Sequence, residues 1–217
     1  MSIEEVLDRL EGVTTRSRIL ESAALEIERN GLTLFRVKRV ASEADISVAL
    51  LYSYFTDRED LIAATIVHRF EQVLLGQAEI FTTPLRDVNT ADELRAALDI
   101  MIADAQDPAR DEQRLSRIDG ISFAHHNTTA SEGIAQAKAE ASEKIVTIVQ
   151  PLQEKGLLVE GMTAVAFARL WYALFFGQIA LDGEHALSIN PDAWLTALHV
   201  LANAVVASGA DATSPLA

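Results

Sequence analysis

The chain contains no cysteine. That absence removes disulfide scaffolds, thiolate zinc sites and cysteine nucleophiles together. It is also short of positive charge: 18 Lys and Arg stand against 32 Asp and Glu, for a net charge of −14. Bulk charge of that sign repels nucleic acid, so any nucleic-acid binding has to come from a local basic face. Proline and glycine are sparse, 5 and 10 in 217 residues, which excludes collagen-like and low-complexity chains. No apolar run approaches the ~18 residues that suggest a membrane span. The opening MSIEEVLDRLEG is acidic and lacks the apolar stretch of a signal peptide. Together these absences predict a cytoplasmic protein with no membrane partner.

What is present is helical. Hydrophobic residues make up 49% of the chain, enough to bury a sizeable core. Their spacing follows the helical period almost throughout, and no alternating run of strand length occurs. Pro and Gly punctuate the segments. The spacing predicts helices over residues 14–30, closed by Asn30-Gly31, and over 37–44, 48–54 and 57–81. It predicts further helices over 91–106, 108–126, 128–155 (with Pro151 as a kink or break), 162–182 and 190–208. The fold class is therefore all-α, with about nine helices. Residues 1–13 read as an N-terminal extension and 209–217 as a flexible tail.

The stretch VKRVASEA-DIS-VALLYSYF stands apart. Two helices of about two turns joined by three residues match helix-turn-helix geometry. Val40, Ala41 and Ala44 fall on one inward face, Ile46 packs under the turn, and Leu51 and Phe55 form the buried stripe of the second short helix. Ser47, Val48, Ala49, Leu50, Tyr52, Ser53 and Tyr54 remain for its outer surface. Arg36, Lys38, Arg39 and Arg58 form a local basic cluster. Arg39 reads as a solvated surface charge.

Residues 14–70 resemble the DNA-binding domain of the TetR family of bacterial transcriptional regulators. The resemblance rests on RSRILESAALEIERNG, VASEADIS and LLYSYFTDREDLIAA, and above all on Tyr52 and Phe55 followed by Thr56-Asp57-Arg58-Glu59-Asp60-Leu61. It implies a helix-turn-helix domain over residues 14–60 (the motif at about 37–55) and a ligand-binding and dimerisation bundle over 61–208. It places Val48, Ala49 and Leu50 at base edges and Tyr52, Tyr54 and Arg58 on the DNA backbone, with Lys38 in reach of a base or phosphate. Ser47 and Arg36 complete the expected DNA-binding set. Phosphate neutralisation by a few cations supplies non-specific affinity. The apolar trio can read thymine methyls but not guanine edges. Three departures from the family pattern stand out: Arg36 where a threonine cap is frequent, Asp45 in place of the turn glycine, and Ala49 where Gly or Arg is common.

The resemblance also implies a homodimer through the last two long helices, for which Ala168, Phe176, Trp194, Leu198, Leu201 and Val205 are the candidate interface residues. Two recognition helices would then meet the half-sites of a palindromic double-stranded operator. A small, largely apolar effector is expected to release the DNA, with the long 57–81 helix as the lever. The candidate pocket residues are Phe70, Leu74, Met101, Ile102, Phe123, His126, Ile145, Trp171 and Phe175. An activator or co-regulator role, or a helical-bundle carrier or enzyme, are the alternatives. No catalytic constellation stands out. The adjacent His125 and His126 point about 100° apart on a helix, so they do not make a simple metal site, and neither cofactor nor metal is expected.

Overall fold

The structure is a computed structural model and describes residues 14–107, 111–182 and 191–208. The expectations for residues 1–13 and 209–217 lie outside the described residues. Among those described there are nine α-helices: α1 Thr15–Asn30, α2 Val37–Glu43, α3 Val48–Tyr54, α4 Arg58–Thr82, α5 Ala91–Ala105, α6 Asp111–Ala124, α7 Thr128–Glu154, α8 Ala164–Asp182 and α9 Pro191–Val205. A 3₁₀ turn, Thr83–Leu85, follows α4 around Pro84. The all-α class expected from periodicity is the class observed.

Local chemistry accounts for most of the boundaries. Thr14 Oγ1 accepts the Ser17 amide at the start of α1. At its end Gly31, at a φ of 66°, donates to the Ile27 carbonyl, a conformation glycine reaches without a Cβ penalty. Thr90 and Glu93 exchange side-chain bonds with each other's backbone amides in a capping box that opens α5. Helix α7 runs through Pro151 to Glu154, so the proline falls one turn before the helix end rather than breaking it. The stop is set at Gly156: Leu157 N–H donates to the Leu152 carbonyl and Gly156 N–H to that of Gln153. Those two bonds satisfy carbonyls that the helix end would otherwise orphan.

The chain forms two compact units. One gathers the described residues up to Gln72 together with Asp119–Ala137; the other gathers Val73–Ile118 with the described residues from Lys138 onward. The expected boundary near residue 60 falls inside α4, a continuous helix with no linker. The first unit also takes in the end of α6 and the start of α7. Phe123 packs against the core of Ile19, Leu20, Phe35, Val40, Leu51, Phe55 and Leu61. Gly133 lets α7 close on α4 there, since a Cβ would stand 2.7 Å from a Val67 methyl.

Within that first unit the helix-turn-helix is tied down by one buried carboxylate. Glu26 on α1 is 6% exposed. It accepts two bonds from Arg39 Nε (2.8 and 3.0 Å), one from Arg39 Nη2, one from the Arg36 amide (3.1 Å) and one from Asn30 Nδ2 (2.9 Å). Arg39 Nη2 also donates to the Leu34 carbonyl at 2.7 Å. Arg39 is thus exposed, as its position suggested, and at the same time a structural tie. The expectation that α2 is capped differently holds as well: Arg36 makes no side-chain cap, and its amide is satisfied by Glu26 instead.

The turn ends α2 as Gly156 ends α7. Ile46 N–H donates to the Ala41 carbonyl and Asp45 N–H to that of Ser42, with Asp45 at a φ of 52°. Left-handed geometry disfavours most side chains, and Asp tolerates it better than most. The Arg39 hydrogen bonds hold the Glu26 carboxyl below its ordinary range, against the opposing effect of burial. A carboxyl lowered in the folded state contributes stability above its unfolded pKa, and loses it as pH falls through the folded value. Arg39→Ala should therefore cost about 3 kcal/mol at neutral pH by stranding a buried carboxylate. Glu26→Gln should flatten the acid limb of the stability profile, both read by urea unfolding across pH. Asp45→Gly should raise stability by about 0.5–1 kcal/mol, since glycine carries no left-handed penalty.

Candidate functional site

Helix α3 owes its exposure to what lies beneath it. Leu51 and Phe55 are fully buried in the first unit's core, so the opposite side of the helix faces outward. Leu50, Tyr52 and Tyr54 are 37%, 45% and 40% exposed, and Ala49 and Ser53 lie on the same open surface. Large apolar and aromatic side chains left open on a two-turn helix suit contact with another surface. Ser47 Oγ accepts the Leu50 amide at 3.0 Å, which leaves its hydroxyl proton free to donate. Ser53 spends its hydroxyl on the Leu50 carbonyl at 2.6 Å. Val48 is half-buried against the core, so it is less available than the sequence suggested.

The four cations divide in two. Arg36 and Lys38 are exposed. Arg39 is held by Glu26. Arg58 donates to the Leu32 carbonyl at 2.7 Å, pairs with Glu59 and lies 5.5 Å from the Phe35 ring centre. It locks the loop after α1 to the start of α4, with part of its donor set already committed. Arg16 was missed by the sequence reading: it is exposed and sits 5.5 Å from the ring of Phe55, at the C-terminus of α3. Its place in the first turn of α1 was the available signal.

The second unit contains a cavity of about 500 Å³, within the ~300–1,000 Å³ typical of small-molecule sites. Helix α4 contributes Leu74, Gln77, Ala78 and Phe81, and α5 contributes Ile100, Met101 and Asp104. Arg117 comes from α6, Lys138, Ser142 and Ile145 from α7, and Ala168, Arg169, Tyr172 and Phe175 from α8. Four of the expected pocket residues are therefore brought together: Leu74, Met101, Ile145 and Phe175. Ile102 and Trp171 are buried core and do not line it. Phe70, Phe123 and His126 belong to the first unit, where Phe70 is core and His126 is exposed. The rings of His125 and His126 meet edge to face at 4.9 Å.

Arg117 is the cavity residue that hydrophobic pattern could not find. It is 4% exposed. One nitrogen, Nη1, donates to Gln77 Oε1, and the guanidinium lies 5.2 and 5.1 Å from the ring centres of Tyr172 and Phe176. Among the described residues its Nε and Nη2, and the Tyr172 hydroxyl, are buried with no hydrogen-bond partner. A guanidinium does not shed its proton, so this burial costs several kcal/mol. Cation–π contact returns roughly 0.5–2 kcal/mol per ring.

The residues expected at a dimer interface are divided too. Leu198, Val205 and Ala168 are buried inside the unit. Val205 is held there by its carbonyl, which accepts the Val159 amide at 3.0 Å. Trp194 is half-buried, and Phe176 lies under Arg117. Leu201 is exposed, as are Val165 and Val200. None of the described helices is long and apolar enough to cross a membrane.

Two short helices around a tight turn, with the second open to solvent, define a helix-turn-helix protein. Residues 19–65 match the family model described as bacterial regulatory proteins, tetR family. The HTH-type transcriptional repressor SCO4008 of Streptomyces coelicolor is 35% identical over 52 residues, 24% of this chain and 27% of that protein. The match thus spans about a quarter of that repressor's length. Over most of the chain the fold is shared with GusR of Salmonella enterica: TM-score 0.57, 23% identity, covering 87% of this chain and 93% of that one. It is shared likewise with a regulator from Saccharomonospora viridis solved in complex with choline: TM-score 0.56, 19% identity, covering 89% and 98%. Residues 19–65 thus resemble the TetR family of bacterial transcriptional regulators in sequence, and over the rest of the chain the likeness to solved regulators is one of fold.

The division of the cations has a direct consequence for stability. Arg58→Ala should lower unfolding free energy by about 1–2 kcal/mol, since it frees a carbonyl and an aromatic contact. Lys38→Ala should leave it within about 0.5 kcal/mol. Equilibrium urea unfolding distinguishes the two.

Proposed function

We propose that the protein is a ligand-responsive repressor that binds a palindromic operator as a homodimer and leaves it when a small molecule enters the second unit's cavity. The observation that carries this reading is the open face of α3, with Ser47, Ala49, Leu50, Tyr52 and Tyr54 facing out and Arg36 and Lys38 exposed on the preceding helix and at its N-cap. Tyrosine and serine hydroxyls and two free cations can hold phosphates. Leu50 and Ala49 offer methyl contacts to thymine, so much of the selectivity would come from DNA shape. The net charge of −14 then keeps the rest of the molecule off DNA, and binding should be steeply salt-sensitive.

Support for a dimer lies in what α8 and α9 leave uncovered. The exposed residues of α8 include Val165, Ala166, Ala173 and Gly177, and those of α9 include Ala193, Ala197, Val200, Leu201 and Ala204. Small and apolar residues recurring at three- and four-residue spacing suit close packing of helices. In this reading the interface uses that outer face rather than Leu198 and Val205. A ligand acts by binding the DNA-free conformation better, and DNA then weakens the ligand by the same factor. The choline bound to the Saccharomonospora viridis regulator is one case of a small molecule held by this fold.

Fluorescence anisotropy with labelled DNA from the protein's own upstream region, titrated at several salt concentrations against a scrambled duplex, tests the reading. Selective binding that weakens with salt is expected. Lys38→Ala should weaken it about tenfold and reduce the magnitude of the log–log salt slope by about one. Leu201→Glu should give monomers by light scattering and abolish tight operator binding. Equal affinity for both duplexes, across the upstream region and genomic fragments, would sink the proposal.

A further inference from the structure

We propose that the cavity of the second unit takes an organic acid: one carboxylate on an apolar body, the carboxylate held side-on by Nε–H and Nη2–H of Arg117. The proposal rests on the ligand-responsive reading and names the chemistry of its ligand. An apolar lining with scattered polar groups would admit any greasy molecule. Arg117 narrows the choice. Its Nη1 is taken by Gln77 Oε1, which fixes the plane of the guanidinium. The two nitrogens left without an acceptor are Nε and Nη2. These share one edge of the group and form the fork that matches the two oxygens of a carboxylate.

Three further observations agree. The Tyr172 hydroxyl is likewise buried without a partner and lines the same cavity, so it can donate to the same head group. Among the described lining residues Lys138 and Arg169 stand with one acid, Asp104, so the local charge favours an anion in a chain that is acidic overall. The remaining wall is apolar, with Phe81, Met101, Ile145 and Phe175 prominent, which suits a hydrocarbon or aryl body. A neutral ligand would leave the fork empty, and a cation would be repelled.

The fork edge is shielded from solvent. Tyr172 and Phe176 stack in parallel, 6.0 Å apart with planes 3° from parallel, under the guanidinium. The rings cover a face of the guanidinium and leave the in-plane fork as the approach for a carboxylate. The effector is thus an amphipathic acid, not the largely apolar molecule that the hydrophobic pattern suggested.

The test uses the full-length protein without DNA. Calorimetry and thermal shift are run with octanoate and 2-naphthoate, and with octanamide and 2-naphthamide as neutral counterparts. At least one acid should bind, and about tenfold or more tighter than its amide. Arg117→Met should lose that preference and keep its thermal midpoint, because a purely structural arginine would lower it. Tyr172→Phe should weaken the acid by about threefold to tenfold. If Arg117→Met does not fold, Arg117→Lys, which retains charge but not the fork, and Tyr172→Phe decide the matter. Equal binding of acid and amide, no binding of either acid at millimolar concentration, or an acid preference that survives these variants overturns the proposal. Operator affinity measured separately with the binding acid tests the regulatory reading. Acid binding without an effect on DNA would leave the site standing and remove its regulatory role.

Discussion

The buried carboxylate of Glu26 is the interaction on which the DNA-binding half depends. It accepts from Arg39, from the N-cap amide of α2 at Arg36 and from Asn30 at once, so one side chain joins α1, the loop after it and the start of the helix-turn-helix. Helix α2 is only seven residues long, too short to be stable alone, and it lacks a side-chain cap. Without Glu26 its N-cap amide would lose its acceptor and its angle to α1 would be left to apolar contacts alone. Arg58 performs a parallel task at the other end, tying the Leu32 carbonyl to the start of α4. The position of α3, and the direction its tyrosines face, follow from these ties and from the buried Leu51 and Phe55.

This use of arginine explains how an acidic domain presents so small a basic face. Two of the four cations that cluster in sequence are consumed in holding the fold. What remains exposed and uncommitted is Arg36 and Lys38, with Arg16 nearby at the end of α3. The contact surface is then dominated by hydroxyls and apolar side chains. In the proposed complex such a face leans on DNA shape and methyl groups more than on guanine hydrogen bonds.

Arginine is used in the opposite sense in the second unit. Arg39 and Arg58 meet acceptors; Arg117 keeps two donors unmatched beside a cavity. A structural role would ordinarily fill that fork, because an unpaired buried charge is costly. The gap is better understood as a place held for another molecule's oxygens, and Tyr172 is placed to share it.

The order of the helices, the place of the turn and the inward face of the helix-turn-helix were legible in the chain, because apolar period, Gly31, Gly156 and Pro84 act locally. Asp45 at the turn could be read in the same way, since only neighbouring backbone bonds demand its positive φ. Four of nine pocket residues could be picked as apolar positions on the right helices, but core and cavity wall share the same residue types. Periodicity could not say that Trp171 is buried while Phe175 lines open space. Nor could it separate Arg39, Arg58 and Arg117 from Arg36 and Lys38. A charge's role depends on which acceptors reach it, and those acceptors (Glu26, the Leu32 carbonyl, Gln77) lie 13, 26 and 40 residues away. Local physics, written in the sequence, determined where helices begin and end; only tertiary packing decided which cations are spent and which are free, because pairing and desolvation are properties of the space around a side chain.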